Sequence, residues 1–106
     1  MPTKKNRTGE PAIAMGVLEF LSTLPEGEAS MADIKKAIPD YVPLTEADRA
    51  ESVTRKGEEL WEQQVRNITS HKDDPGNFIF ESFLEAVDGG LRITQDGRNH
   101  LKHAKG

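Results

Sequence analysis

One turn signal sets the architecture available to this chain. Asp88-Gly89-Gly90 separates two short apolar runs, Phe83 to Val87 and Leu91-Arg92-Ile93. Two glycines that tolerate positive φ suit a tight hairpin turn. The earlier segments follow helical spacing, so strands and helices do not alternate as a parallel sheet requires. The pattern predicts a mainly α fold with a small antiparallel β-hairpin, in the α+β class. A chain of 106 residues supports one core and one domain.

The helices can be placed by periodicity. Ile13, Val17, Phe20, Leu21 and Leu24 predict a first helix over 12–24, with Pro11 suited to its first turn. Ser30 and Asp33 resemble a capping box for a short second helix that buries Met31, Ile34 and Ile38 and ends at Pro39. Thr45 and Asp48 suit a weak helix through Ser52. The clearest helix spans about 58–71, where Trp61, Val65 and Ile68 recur at i, i+4, i+7. Glu58, Glu59 and Glu62 lie near its N-terminus and His71 and Lys72 near its C-terminus, as the helix dipole favours. Phe78, Phe80 and Phe83 fall in the most apolar stretch and are expected in the core. Thr94 caps a last helix, Gln95 to Ala104, anchored by Leu101. Residues 1–9, with Lys4, Lys5 and Arg7, read as a flexible basic arm, and 10–106 as the domain.

Several function classes lack support. No apolar run approaches the length of a membrane span, and the basic N-terminus is not followed by the apolar stretch of a signal peptide; a cytoplasmic protein is expected. There is no cysteine, no phosphate-binding glycine loop and no nucleophile elbow. His100 and His103 are spaced i, i+3, but a zinc site needs further ligands, and solvated surface histidines are the competing reading. No metal, cofactor or small-molecule ligand is indicated, and the expectation is a non-enzyme.

The formal net charge of −4 conceals a segmental pattern. Acid dominates 9–54 and 73–91, whereas base dominates 1–8 and 92–106 and slightly exceeds acid over 55–72. On the long helix, Gln63, Arg66, Asn67 and Ser70 form a stripe opposite Trp61, Val65 and Ile68. These residue types read base edges: Arg pairs with guanine, Asn and Gln with adenine, and Ser adapts. Arg55, Lys56 and Lys72 flank the helix as phosphate contacts. Arg92 alternates outward from Leu91 and Ile93 and would meet a phosphate beside the groove. The competing readings are an ordinary amphipathic helix with a solvated outer face and an exposed two-stranded ribbon. Glu59 near the stripe and Asp88 at the turn oppose phosphate.

A long helix followed by a glycine-tipped hairpin is the order in which a winged helix-turn-helix presents its recognition helix and then its wing. The run Trp61…Val65-Arg66-Asn67…Ser70-His71, then Gly76-Asn77-Phe78-Ile79, then Gly89-Gly90-Leu91-Arg92-Ile93-Thr94…Gly97-Arg98…Leu101 resembles the N-terminal winged-helix domain of Mrr-type restriction systems. The likeness covers about residues 12–103. The closing Ile-Thr-x-x-Gly-Arg pattern occurs in several winged-helix families and speaks to the fold. What the resemblance implies is binding of double-stranded DNA through the long helix and wing. It carries over to Gln63, Arg66, Asn67, Ser70 and Arg92 as positions only. The family joins this domain to a nuclease, for which these 106 residues leave no room. Asp33-Ile34-Lys35 matches a nuclease acid-x-Lys formally but lies at a helix start, so cleavage is not expected. The second reading is a winged-helix protein-interaction module whose acidic residues 9–54 and 73–91 face a protein partner, and the third a small regulatory subunit that docks on a separate nuclease or toxin-like enzyme; a homodimer is also open.

Overall fold

The structure, a computed structural model, describes residues 10–51 and 57–105. The basic arm, Arg55 and Lys56 lie outside the described residues. Four helices and three short strands are present among those described: α1 (Glu10–Ser22), β1 (Glu28–Ser30), α2 (Met31–Tyr41), α3 (Leu60–Ser70), β2 (Leu84–Val87), β3 (Gly90–Ile93) and α4 (Gln95–Lys105). The architecture is mainly helical with a small three-stranded antiparallel sheet.

Helix α1 is the hub. Ile13, Ala14, Val17, Leu18 and Leu21 are all buried, and α1 packs against α2, α3, α4 and β3. A side chain at Gly16 would strike Val42 just beyond α2, so glycine permits the close approach of these two elements. Phe20 meets Tyr41 of α2 ring to ring, with centroids 5.9 Å apart.

Helix α2 begins as expected: Ser30 Oγ accepts from the Asp33 N–H at 3.1 Å. Its C-terminus corrects the expected stop, because Pro39 lies inside the helix. Proline removes one backbone donor and crowds the preceding turn. Here the helix nevertheless continues to Tyr41, and Val42 N–H closes its last turn on Ile38 O at 2.9 Å. Burial of Ile34 and Ile38, with the Phe20–Tyr41 contact, outweighs the local preference.

The weak helix expected from Thr45 is instead a set of turns over its described part, 45–51. Thr45 and Asp48 cap one another: Thr45 N–H donates to Asp48 Oδ2 at 2.9 Å and Asp48 N–H to Thr45 Oγ1 at 3.1 Å. Asp48 is only 2% exposed. The segment is tied to the start of α3 through Leu60 N–H to Ala50 O (2.8 Å) and Trp61 N–H to Asp48 O (2.9 Å). Helix α3 buries Trp61, Val65 and Ile68, the predicted stripe.

The hairpin turn lies where the glycines indicated, with Gly89 at φ 75°. The expected isolated hairpin is corrected to a sheet in the order β1-β3-β2, because β1 adds to the free edge of β3. Gly90 makes this possible, since a Cβ there would collide with the Ala29 carbonyl. Glycine is likewise needed at Gly97, where a Cβ would collide with the Phe83 carbonyl. Thr94 caps α4 by accepting from the Gly97 N–H at 2.9 Å. The aromatic expectation holds only in part. Phe78 is buried and meets Phe83 edge-on at 5.3 Å, whereas Phe80 is 50% exposed.

Asn77 joins α3 to the turn that precedes β2. It is buried, and its Nδ2 donates to Ile68 O at 2.9 Å. Its Oδ1 accepts from Ile79 N–H at 2.7 Å and Phe80 N–H at 3.3 Å. Alanine would leave the buried Ile68 carbonyl and the part-buried amides of Ile79 and Phe80 without these partners. Asn77→Ala is expected to cost about 2 kcal/mol and lower the melting temperature by about 10 °C. A far-UV circular dichroism melt checks this; an unchanged melting temperature contradicts the assigned role.

Candidate nucleic-acid interface

The stripe on α3 forms as the sequence predicts. Gln63, Arg66, Asn67 and Ser70 lie on one helix with Gln63, Arg66 and Asn67 half-buried and Ser70 exposed. Ser70 Oγ donates to Arg66 O at 3.4 Å, a weak bond to its own helix. Lys72 is exposed just past the C-terminal end of α3. Arg92 sits on a separate element, β3, between the buried Leu91 and Ile93, with its side chain 43% exposed. It points to the opposite face of the sheet from its two neighbours.

Both arginines are occupied within the protein. Arg66 Nε and Nη2 donate to the two carboxylate oxygens of Glu58 at 3.2 and 3.1 Å. The Arg66 side chain is 34% exposed and that of Glu58 11%. This bidentate hydrogen bond, with the attraction of the opposite charge, holds the Arg66 guanidinium above its ordinary pKa. Arg92 lies in register between Glu85 on β2 and Glu28 on β1. It donates to Glu85 Oε1 through Nε (3.0 Å) and Nη2 (2.8 Å), and to Glu28 Oε1 through Nη1 at 3.1 Å. Hydrogen bonding to Glu85, followed by its charge and that of Glu28, raises the Arg92 pKa. Arg49 also has an acidic neighbour, Glu59, at 3.7 Å. The three carboxylates around Arg66 and Arg92 are the residues that sequence reasoning missed. For Glu85 a signal existed: a two-residue turn at 88–89 pairs position 85 with 92. Glu28 and Glu58 carry no comparable periodic cue.

Glu59 is engaged in local structure at the start of α3 while its side chain stays 40% exposed. It is the N-cap of α3, and its N–H donates to Glu62 Oε1 at 2.9 Å. Its carboxylate accepts from Trp61 Nε1 at 2.7 Å. The histidines of α4 are also engaged. His100 stacks on Phe83 with ring centroids 4.1 Å apart, and His103 Nδ1 lies 2.9 Å from Asn99 O. Among the described residues no group of three or more His, Asp or Glu side chains could hold a metal ion. No described helix is long and apolar enough to cross a membrane.

The Arg66–Glu58 pair is partly screened by solvent. A double-mutant cycle with Arg66→Gln and Glu58→Gln, read from denaturant melts, should give a coupling of about 0.5–1 kcal/mol. Zero coupling at low salt would contradict the bidentate geometry.

In comparisons with known proteins, the chain matches no family model, no curated protein and no solved structure.

Proposed function

We propose that this chain is a winged helix-turn-helix domain that binds double-stranded DNA without cleaving it, acting in the cytoplasm. In this reading α3 enters the major groove, and β2, β3 and their turn form the wing. The resemblance to the N-terminal domain of Mrr-type restriction proteins points the same way. The observation that supports the reading best is the order of elements together with their anchoring. A helix with a polar outer stripe leads into a hairpin, and the hairpin is held to the first two helices through β1. One departure is the connection between α2 and α3, residues 42–59, which is far longer than the three or four residues typical of a helix-turn-helix.

The roles follow from side-chain chemistry. Gln63 and Asn67 suit adenine, Arg66 guanine, and Ser70 either a base or a phosphate. Lys72, Arg55 and Lys56 suit phosphates beside the groove, and Arg92 suits a phosphate beside the wing. Arg66 must exchange Glu58 for DNA, and Arg92 must exchange Glu28 and Glu85. These exchanges offset much of the gain from each new contact, so affinity is modest and strongly salt-dependent. The same ion pairs favour a second reading, a protein-interaction module or regulatory subunit of a separate nuclease, in which the arginines shape the surface without contacting DNA.

A fluorescence-anisotropy titration with mixed-sequence duplex DNA at low salt tests the proposal. Binding with a Kd of roughly 10⁻⁶–10⁻⁴ M is expected, weakening steeply as salt rises. Arg66→Ala with Arg92→Ala should weaken it at least about tenfold. Glu58→Gln with Glu85→Gln should tighten it by freeing Arg66 and loosening the hold on Arg92, which keeps Glu28. Absence of binding, or affinity indifferent to both double substitutions, favours the protein-interaction reading.

A further inference from the structure

A groove of about 690 Å³ lies between the C-terminal end of α1, the turn into β1 and the outer face of α2. It is separate from the α3 stripe. Its apolar surface comes from Phe20, Leu24, Pro25, Ala29 and Ala37. Phe20, Leu24 and Ala29 are only partly buried, packed against the core from its margin. The groove's charged lining is strongly one-sided: Glu26, Glu28, Asp33 and Asp40 against Lys36. Glu28 is partly neutralised from outside the groove by Arg92, 3.1 Å away.

The groove positions on α2 are ordered. Asp33, Lys36, Ala37 and Asp40 follow i, i+3, i+4, i+7 and therefore share one face of α2. The two aspartates stand about 10 Å apart along the helix axis. An apolar trough with carboxylates spaced along a helix complements an amphipathic segment whose apolar side chains enter the trough and whose Lys or Arg side chains meet the acids. Phosphate is repelled by the same lining, which sets this surface apart from a nucleic-acid site. The basic N-terminal arm, with Lys4, Lys5 and Arg7, has the charge but lacks an apolar run.

We propose that the α1–β1–α2 groove is a docking site for a basic amphipathic helical segment of a partner protein. Its apolar residues would pack over Phe20 and Ala37, and its basic residues would face Glu26, Asp33 and Asp40. This does not depend on DNA binding by α3.

The probe is a fluorescein-labelled Leu/Lys peptide of about 15 residues, long enough to form a helix, with leucines at i, i+3, i+4, i+7 spacing. A control peptide carries Glu at every Lys position. The full chain is expected to bind the basic peptide and not the acidic one. Glu26→Gln with Asp40→Asn should weaken binding about fivefold, as two partly exposed ion pairs allow. Lys36→Gln should act in the opposite direction and tighten it. All three positions are exposed, and circular dichroism melts of the variants verify that the fold is retained. Equal binding of the two peptides, or indifference to the acidic substitutions, overturns the proposal. It is also overturned if the basic peptide binds only after removal of residues 1–8, which assigns the groove to the arm. Self-association in sedimentation, abolished by Ala37→Arg, assigns it to a second copy and overturns it equally.

Discussion

The pairing of β3 with both of its neighbours is the constraint on which the remaining structure depends. Strand β3 places Leu91 and Ile93 in the core and Arg92 on the outer face. Its partner β2 brings Phe83 and Phe78 to the same core, and its other partner, β1, leads directly into the N-cap of α2. Gly27 O accepts from Ile93 N–H at 2.8 Å, and Thr94 N–H donates to Phe83 O at 3.1 Å. Both edges of the strand are therefore fixed within a few residues of the start of α4. A slip of one residue would exchange Arg92 with Leu91 or Ile93 and place a guanidinium in the core. The hydrophobic alternation thus determines the register, and the register determines which carboxylates surround Arg92.

This dependence explains what could be read from the sequence. The stripe of Trp61, Val65 and Ile68, the glycine turn and the Thr94 cap are local signals, and each is present in the structure. Strand β1 was not legible. Glu28-Ala29-Ser30 is too short to show alternation, and its pairing is with residues some sixty positions away. Pro39 misled because its local cost is visible in sequence, whereas the contacts that offset it join α2 to α1. The Thr45–Asp48 pair was legible as a cap, but the backbone it caps bonds to the start of α3 instead of extending a helix. Phe80 shows the same limit: an apolar run does not reveal which member a turn leaves outside. For the candidate interface, the residue types on α3 were legible, and their partners were not. Glu58 meets Arg66 from outside the helix, beyond the reach of i, i+4 reasoning.

The ion pairs give the net charge of −4 a more specific meaning. The arginines on α3 and β3 lie beside carboxylates, so these two guanidinium groups add little net positive charge to the surface proposed to face DNA. In the proposed complex each guanidinium would exchange one anionic partner for another, so the two arginines would add more to geometry and hydrogen bonding than to net attraction. Acid instead outnumbers base among the described residues on the outer face of α2, over an apolar trough. One small core thus carries two surfaces of different chemistry. The stripe of α3 offers hydrogen-bonding groups of the kind that read bases, and the α1–β1–α2 groove offers apolar area framed by carboxylates.

The central claim is the proposal that nucleic acid is met by α3, the basic residues flanking it and the hairpin, and not by the α1–β1–α2 groove. An amide-resolved NMR titration of the isotopically labelled chain with duplex DNA at low salt tests it most directly. The account predicts shifts that follow Gln63, Arg66, Asn67, Ser70 and Arg92, while Phe20, Ala37 and Asp40 remain unmoved. Shifts concentrated at the groove, or a spectrum unchanged by excess DNA, would contradict it.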